Sequence, residues 1–452
     1  MTGQSELRLD AVSESADRPR TRPDRDVRTR WGWTEQSVWT DRMLTALEQG
    51  VKGGKWHSLI DKVHNEANLF GAFGKVARNR GAAGVDRVTT DDFSKGLSPR
   101  LKRLTKTLDD RRYQPHDVRR VWIDKPGSKE KRPLGMPTVR DRVVQTALRN
   151  VSEPIFERDF AEQNDGFRPA PRGYPGCKDA LRRVDELVKS GYRYVVDADL
   201  KGYFDTIPHD RLLELVSQKI SDTKVLTLIA LFWQQGVMDG TDRWTPERGC
   251  PQGAVISPLL SNIYLDPLEH LMAQRGFEMV RYADDFVILC RDRTTAERAL
   301  KMVEDWTAHA GLTLHPEKTC IVDAEEEGFD FLGDHFHAEH RWPRKKSLKK
   351  LRATIRGKTK RANGHSLEDI IADVNKTLVG WFEYYKHSHR YVFERLDGWW
   401  RMRLRSILRK RQGRQGRGRG LDHHRWPNTF FANAGLFSLV TAHRLASQSS
   451  QR

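Results

Sequence analysis

The stretch VRYADDFVIL, residues 280–289, constrains this chain more than any other. Two apolar runs rich in Val, Ile and Phe flank an adjacent carboxylate pair, Asp284 and Asp285. Such runs read as buried strands, and the acidic pair between them as the turn of a hairpin. Two like charges side by side repel, so a fold tolerates them best in water or on a metal ion. Taken alone, the decapeptide fits an ordinary solvated Asp-Asp loop. A metal-bound pair calls for more carboxylate from elsewhere in the chain.

A second strand signal supplies it. In YRYVVDADL, residues 192–200, the alternation puts Val196, Ala198 and Leu200 on one face and Asp197 and Asp199 on the other. Asp199 at the end of a strand beside the Asp284–Asp285 hairpin offers the hard oxygen ligands that magnesium prefers. Phosphoryl transfer to a growing chain uses two such ions about 3.5–4 Å apart. The Leu200 carbonyl is a further candidate ligand. By itself Asp199 reads equally as a helix cap or an ion-pair partner. Upstream, residues 121–137 read as a strand, a basic turn and a second strand held by prolines. Lys125, a point charge, and Arg132, a bidentate fork, suit a triphosphate there, or are ordinary surface cations.

Charge divides the chain. Residues 341–452 hold 27 Lys and Arg against 7 Asp and Glu, so that of the overall +18 the first 340 residues carry −2. A rear segment this basic points to a polyanion. Lys345, Lys346, Lys349, Lys350, Arg352, Arg356, Lys358, Lys360 and Arg361 follow one another with no intervening acid. They are the candidate RNA-binding residues, and the interleaved Trp381, Phe382, Tyr384, Tyr385, Trp399 and Trp400 are either stackers on unpaired bases or a helical core. No apolar run approaches the roughly 20 residues of a membrane span, so no membrane is expected among the partners. The four cysteines are widely spaced and never form C-x-x-C, which disfavours a zinc site or disulfide framework and fits a reducing cytoplasm.

These motifs occur in a set order: GFRP, DADLKGYFD, GCPQGAVISPLLSNIYLD, YADD, LTLHPEKT and FLG, preceded by RPLGMPTVRDRVVQTAL and followed by GWFEYY. The set resembles the reverse transcriptases encoded by group II introns, over roughly residues 55–410. The resemblance implies an α+β right-hand polymerase whose fingers and palm carry antiparallel sheet, followed by an α-helical thumb and maturase domain. It makes Asp199, Leu200, Asp284 and Asp285 the ligands of two Mg2+ ions, with Mn2+ as substitute. Lys125, Arg132 and Gln252 would bind the incoming dNTP, and Phe204 would bar a ribose 2′-hydroxyl. Lys318 would protonate the leaving pyrophosphate. Two motifs depart from the family pattern, GVDR at 84–87 and APRG at 170–173, both in the fingers.

The expected domains are a disordered N-terminus and helix (1–54), fingers and palm (55–340), the basic thumb (341–411), and a flexible Gly/Arg linker with a short DNA-binding-like tail (412–452). With no cysteine after Cys320, an H-N-H endonuclease is not expected. The expected activity is RNA-directed DNA synthesis, with intron RNA bound to promote splicing and then copied into DNA. Partners would be intron RNA, target DNA with its primer, and dNTPs, in a bacterial cytoplasm and at the nucleoid when acting on DNA. Monomer and dimer both stay open. The rival readings are a splicing cofactor with a relic palm and a reverse transcriptase domesticated for defence or repair.

Overall fold

The computed structural model describes residues 27–124, 131–169 and 176–449. Its centre is an antiparallel sheet of four strands, β3 (Tyr194–Ala198), β6 (Glu278–Tyr282), β7 (Asp285–Cys290) and β8 (Cys320–Asp323), in the order β6-β7-β3-β8. Alternation along β3 and β7 gives the sheet two apolar faces. Val196, Ala198, Phe286 and Ile288 join the main core, where helices Ser257–Gln274 and Arg293–His309 also bury their side chains. Val195, Val287 and Leu289 pack instead on Ala180, Leu181 and Val184 of helix Cys177–Lys189. The expected palm hairpin and the third strand are therefore all present in one sheet.

A second sheet is built from β1 (Val118–Asp124), β2 (Lys131–Met136), β4 (Val237–Asp239) and β5 (Asp242–Trp244), in the order β2-β1-β4-β5. The nineteen-residue helix Val139–Glu157, packed on helix Glu66–Arg78, is buried along nearly its whole length. Thr138 caps this helix by accepting from the Asp141 amide. The wholly buried Asp141 carboxylate in turn accepts from Tyr113 Oη at 2.6 Å and from the His116 amide at 3.0 Å. The periodicity over 211–235 predicts one helix, but the chain forms two, His209–Ser217 and Thr223–Trp233. Asp222 causes the break: its carboxylate caps the second helix at Lys224 and Val225 and also accepts from the Leu59 and Ile60 amides.

A third sheet, β9 (Phe329–Phe331), β10 (Asp334–His337) and β11 (His340–Pro343), leads into three helices, of which Lys345–Lys358 and Arg390–Arg411 are basic and Leu367–Tyr385 between them is acidic. Two of the expected domain boundaries need correction. Trp31, Trp39, Leu44 and Leu47, assigned to a separate N-terminal piece, are buried in the main core, with Trp39 Nε1 donating to the Asn150 carbonyl at 2.9 Å. The segment from 412 onward, expected as a flexible linker and tail, folds back. Trp426, Phe431, Leu436 and Leu439 complete the same core as Leu351, Ile355, Leu378, Trp400 and Leu404. The buried Asp397 caps the last helix through Ser438 and the Leu439 amide, and the Gly418 amide donates to Ser406 Oγ. The apolar stretch from Trp426 to Val440 is visible in the sequence, but it lies beyond an Arg/Gly run and nothing local shows which helices it packs on.

Phe431, wholly buried, therefore tests the assignment. Phe431→Ala is expected to lower the stability of the rear domain by about 3–4 kcal/mol in urea unfolding followed by tryptophan fluorescence. An independent tail would leave that transition in place.

Candidate active site

The β3–β7 register pairs Asp197 with Val287 and Ala198 with Phe286. One residue further out, Asp199 and Asp285 therefore stand side by side on the same face of the sheet. The β6–β7 ladder closes at Tyr282 opposite Asp285, leaving Ala283 and Asp284 as a two-residue turn. Ala283 takes φ +63°, a left-handed conformation that costs an alanine about 1 kcal/mol. Gly166 of the GFRP motif lies under this turn so closely that a Cβ there would sit 2.2 Å from the Ala283 nitrogen. The arginine of that motif is structural: Arg168 forks onto Glu157, with both side chains at most 4% exposed.

The LTLHPEKT turn is laced to the end of β3. The His315 amide donates to the Asp199 carbonyl at 2.7 Å, and Leu200 bridges Leu314. This lacing brings Lys318 Nζ to 2.7 Å from Asp199 Oδ2. Burial, then the charges of Asp284 and Asp199, push the Asp285 carboxyl up to about 6. Asp284 is raised by burial and, more weakly, by Asp199, against the pull of Arg132. Asp197 is likewise raised to about 6 by burial, Asp285 and Asp199. Alternation in the sequence places Asp197 on the Asp199 face without a role, and here it belongs to the same cluster of like charge.

Among the described residues, no three His, Cys, Asp or Glu side chains close on one point as a ready-made cage. Magnesium seldom needs one, because it keeps water and substrate phosphates and takes only one or two protein carboxylates. Carboxylates whose ionisation is opposed by their neighbours, with Arg344 and Lys318 as the nearby counter-charges on Asp285, are a donor set that fits a hard divalent cation.

Two of the residues expected to bind dNTP meet each other, and the charge of one, Arg132, acts on Asp284. Arg132 Nε donates to Gln252 Oε1 at 3.0 Å, and the Gly135 amide donates to the Gln252 carbonyl. Gly253, at φ +105°, leaves no room for a side chain against the Gly135 carbonyl. The same loop rests on Phe204, whose carbonyl accepts from the Cys250 amide; the ring is 7% exposed and set edge-on to Tyr203. Lys125 lies outside the described residues. Besides Asp197, sequence reasoning missed Arg281, Asn262 and Gly166, all set around the acidic turn. The Arg before Tyr-Ala-Asp-Asp was the available signal, a charge directly after the apolar Met279 and Val280 of β6.

In the rear domain Lys345, Lys346, Lys349, Lys350, Arg356, Lys360 and Arg361 are exposed, and Arg352 is half-buried. Lys358 instead donates to the Asp373 carboxylate at 2.7 Å. Arg352, Arg356 and Arg403 surround the Trp399 ring at 6.0, 5.8 and 5.4 Å. Of the two readings left open for the aromatics, most of the others follow the helical core. Phe382 and Trp400 are core, Trp381 stacks against Tyr385, and Tyr384 Oη donates to the Leu332 carbonyl and meets Cys177 Sγ, joining thumb to palm.

Residues 123–336 match the family of reverse transcriptases (RNA-dependent DNA polymerases), and residues 348–426 match the group II intron maturase-specific domain. Protein YkfC of Escherichia coli is 32% identical over 353 residues, covering 70% of this chain and 87% of YkfC. The chain belongs to the group II intron-encoded reverse transcriptases and maturases. Group II intron-encoded protein LtrA of Lactococcus lactis is 37% identical over 205 residues, 45% of this chain. That match spans only 33% of LtrA's own length. An uncharacterized 91 kDa protein in the cob intron of Schizosaccharomyces pombe is 28% identical, covering 58% of this chain and 39% of that one. The maturase-specific domain implies intron RNA binding, and the reverse transcriptase family generally uses divalent metal ions.

The raised Asp285 carboxyl has a testable sign. A carboxyl whose folded pKa exceeds its unfolded value stabilises the fold at acid pH, and that contribution is lost as pH rises through about 6. With chelator present, Asp285→Asn is expected to melt about 2 °C above wild type at pH 8 and level with it at pH 5. A lower melting temperature at pH 8 would show that the carboxylate is compensated.

Proposed function

We propose that this protein is an RNA-directed DNA polymerase that also binds its group II intron RNA, promotes its splicing and copies it into DNA. The observation that carries the reading is the β3–β7 register, which sets Asp199 beside the Asp284–Asp285 turn, with the charge of Arg132, bonded to Gln252, acting on Asp284. Asp199, Asp284 and Asp285, with the Leu200 carbonyl, would hold two Mg2+ ions, or Mn2+ in their place. Such ions, when bound, activate the attacking primer hydroxyl and neutralise the leaving pyrophosphate.

The chain's own residues do the rest. Arg132, with Lys125, grips the triphosphate as a fork beside a point charge. Gln252, oriented by Arg132, lines the nucleotide pocket. Phe204 bars a 2′-hydroxyl, which selects deoxynucleotides. Lys318 Nζ gives its proton to the departing pyrophosphate oxygen, at the end of a turn laced to Asp199. The exposed cations of helix Lys345–Lys358, with Lys360 and Arg361, hold the RNA backbone, so binding weakens with salt. Target DNA and its primer are the second nucleic-acid partner, and the bacterial cytoplasm and nucleoid are the place of action.

The catalytic and RNA-binding machinery sit on separate cores, so they separate in a test. On a primed RNA template, changing Asp284 and Asp285 together to Ala is expected to cut dNTP incorporation at least about 1,000-fold. Intron RNA affinity should stay within about twofold. Full polymerisation by that variant would remove the carboxylates from catalysis, and joint loss of both activities would remove the division of labour.

A further inference from the structure

The acidic turn stands on a charged group buried beneath it. Arg281, three residues before Asp284, is 0% exposed, as is Glu269 on helix Ser257–Gln274. The Arg281 guanidinium pairs with Glu269 through Nε. Its Nη1 donates at 2.8 Å to the carbonyl of Ala283, the left-handed residue of the turn, and at 3.1 Å to Asn262 Oδ1. Asn262 Nδ2 then donates at 3.0 Å to the carbonyl of Gly166, the residue on which the turn rests. Backbone bonds fix Arg281 as well: its amide donates to the Gln163 carbonyl, and its carbonyl accepts from the Asp165 amide.

Burying two full charges is costly, and apolar residues of similar volume often hold a fold as well or better. What such residues cannot do is donate to a turn carbonyl. Ala283 is alanine where glycine would adopt this φ without cost, so the turn conformation needs an interaction that holds it, and the bond to the Ala283 carbonyl supplies one. Rotating that peptide moves Asp284, the next residue, relative to Asp199 and Asp285. Misplacement by about 1 Å at a reacting centre costs on the order of a hundredfold in rate.

We propose that Arg281 is a positioning residue for the reaction: backed by Glu269 and Asn262, it holds the Ala283 carbonyl and thereby sets the spacing of Asp284 and Asp285 against Asp199. The inference rests on the polymerase reading for its kinetic consequence, though not for its effect on cation binding. Arg281→Lys keeps the charge beside Glu269 and loses the planar fork that reaches Ala283 and Asn262 together. Arg281→Met combined with Glu269→Met removes both buried charges at similar volume.

Both variants are compared with wild type in the full chain. Mn2+ binding is read from the free-ion electron paramagnetic resonance signal, and single-nucleotide addition is measured on a primed RNA template. Each folded variant is expected to bind Mn2+ about tenfold more weakly and to lose about ten- to a hundredfold in kcat, with KM for dNTP within about twofold. A merely structural Arg281 would change the melting temperature without this pattern. Wild-type Mn2+ affinity and kcat in either folded variant would overturn the proposal. If wild type itself adds no nucleotide, the polymerase reading fails. The Mn2+ titration then decides alone: weakened binding upholds the positioning role, and unchanged binding ends it.

Discussion

Everything at the candidate site depends on one strand pairing. β3 and β7 are joined by backbone hydrogen bonds in a register that sets Ala198 opposite Phe286, and the apolar residues of both strands lock it. A slip of one residue would turn Val196 and Ile288 out of the core and carry Asp199 away from Asp285. The cost of unburying those side chains, about 2 kcal/mol each, is thus what holds carboxylates together against their own repulsion. Hydrophobic burial on one face sets up electrostatic stress on the other. Burial first, and then that repulsion, lift Asp197 and Asp285 to about 6 and make the cluster receptive to a cation.

Around this pairing the chain arranges three supports of different physical kinds. The LTLHPEKT turn adds backbone bonds to the end of β3 and delivers Lys318 to Asp199. The Gly249–Gly253 loop packs its backbone on Phe204 and Gly135, where side chains would clash, and brings Gln252 to Arg132. The buried Arg281–Glu269 pair works from beneath and acts on a single peptide of the acidic turn. The thumb is tied to this assembly through Tyr384, whose hydroxyl reaches the palm at Leu332 and Cys177.

Much of the site was legible because its chemistry demands residues that stand out locally. Asp-Asp between apolar runs, Asp at the end of a β run and glycines beside Gln252 each break a pattern at a recognisable place. The supports were not legible, because their partners are distant in sequence. Glu269 looks like one more polar residue on a helix until the fold sets it against Arg281, and Asn262 until it meets Gly166. Asp222 shows the same limit, since its capping of Thr223–Trp233 and its bonds to Leu59 and Ile60 divide a stretch that periodicity alone leaves whole. The C-terminal segment was misread for a different reason. Its Arg/Gly run at 413–420 resembles a linker, but Trp426 and Phe431 beyond it are buried in the core of the rear domain.

The central claim is that Asp199 works with the Asp284–Asp285 turn as one group, and Asp199→Asn tests it most directly because the turn and its supports stay untouched. The measurement is single-nucleotide addition to a DNA primer on an RNA template at saturating dNTP and Mg2+, with intron RNA binding followed in parallel. The account predicts loss of addition with RNA binding retained. Addition at the wild-type rate would contradict it.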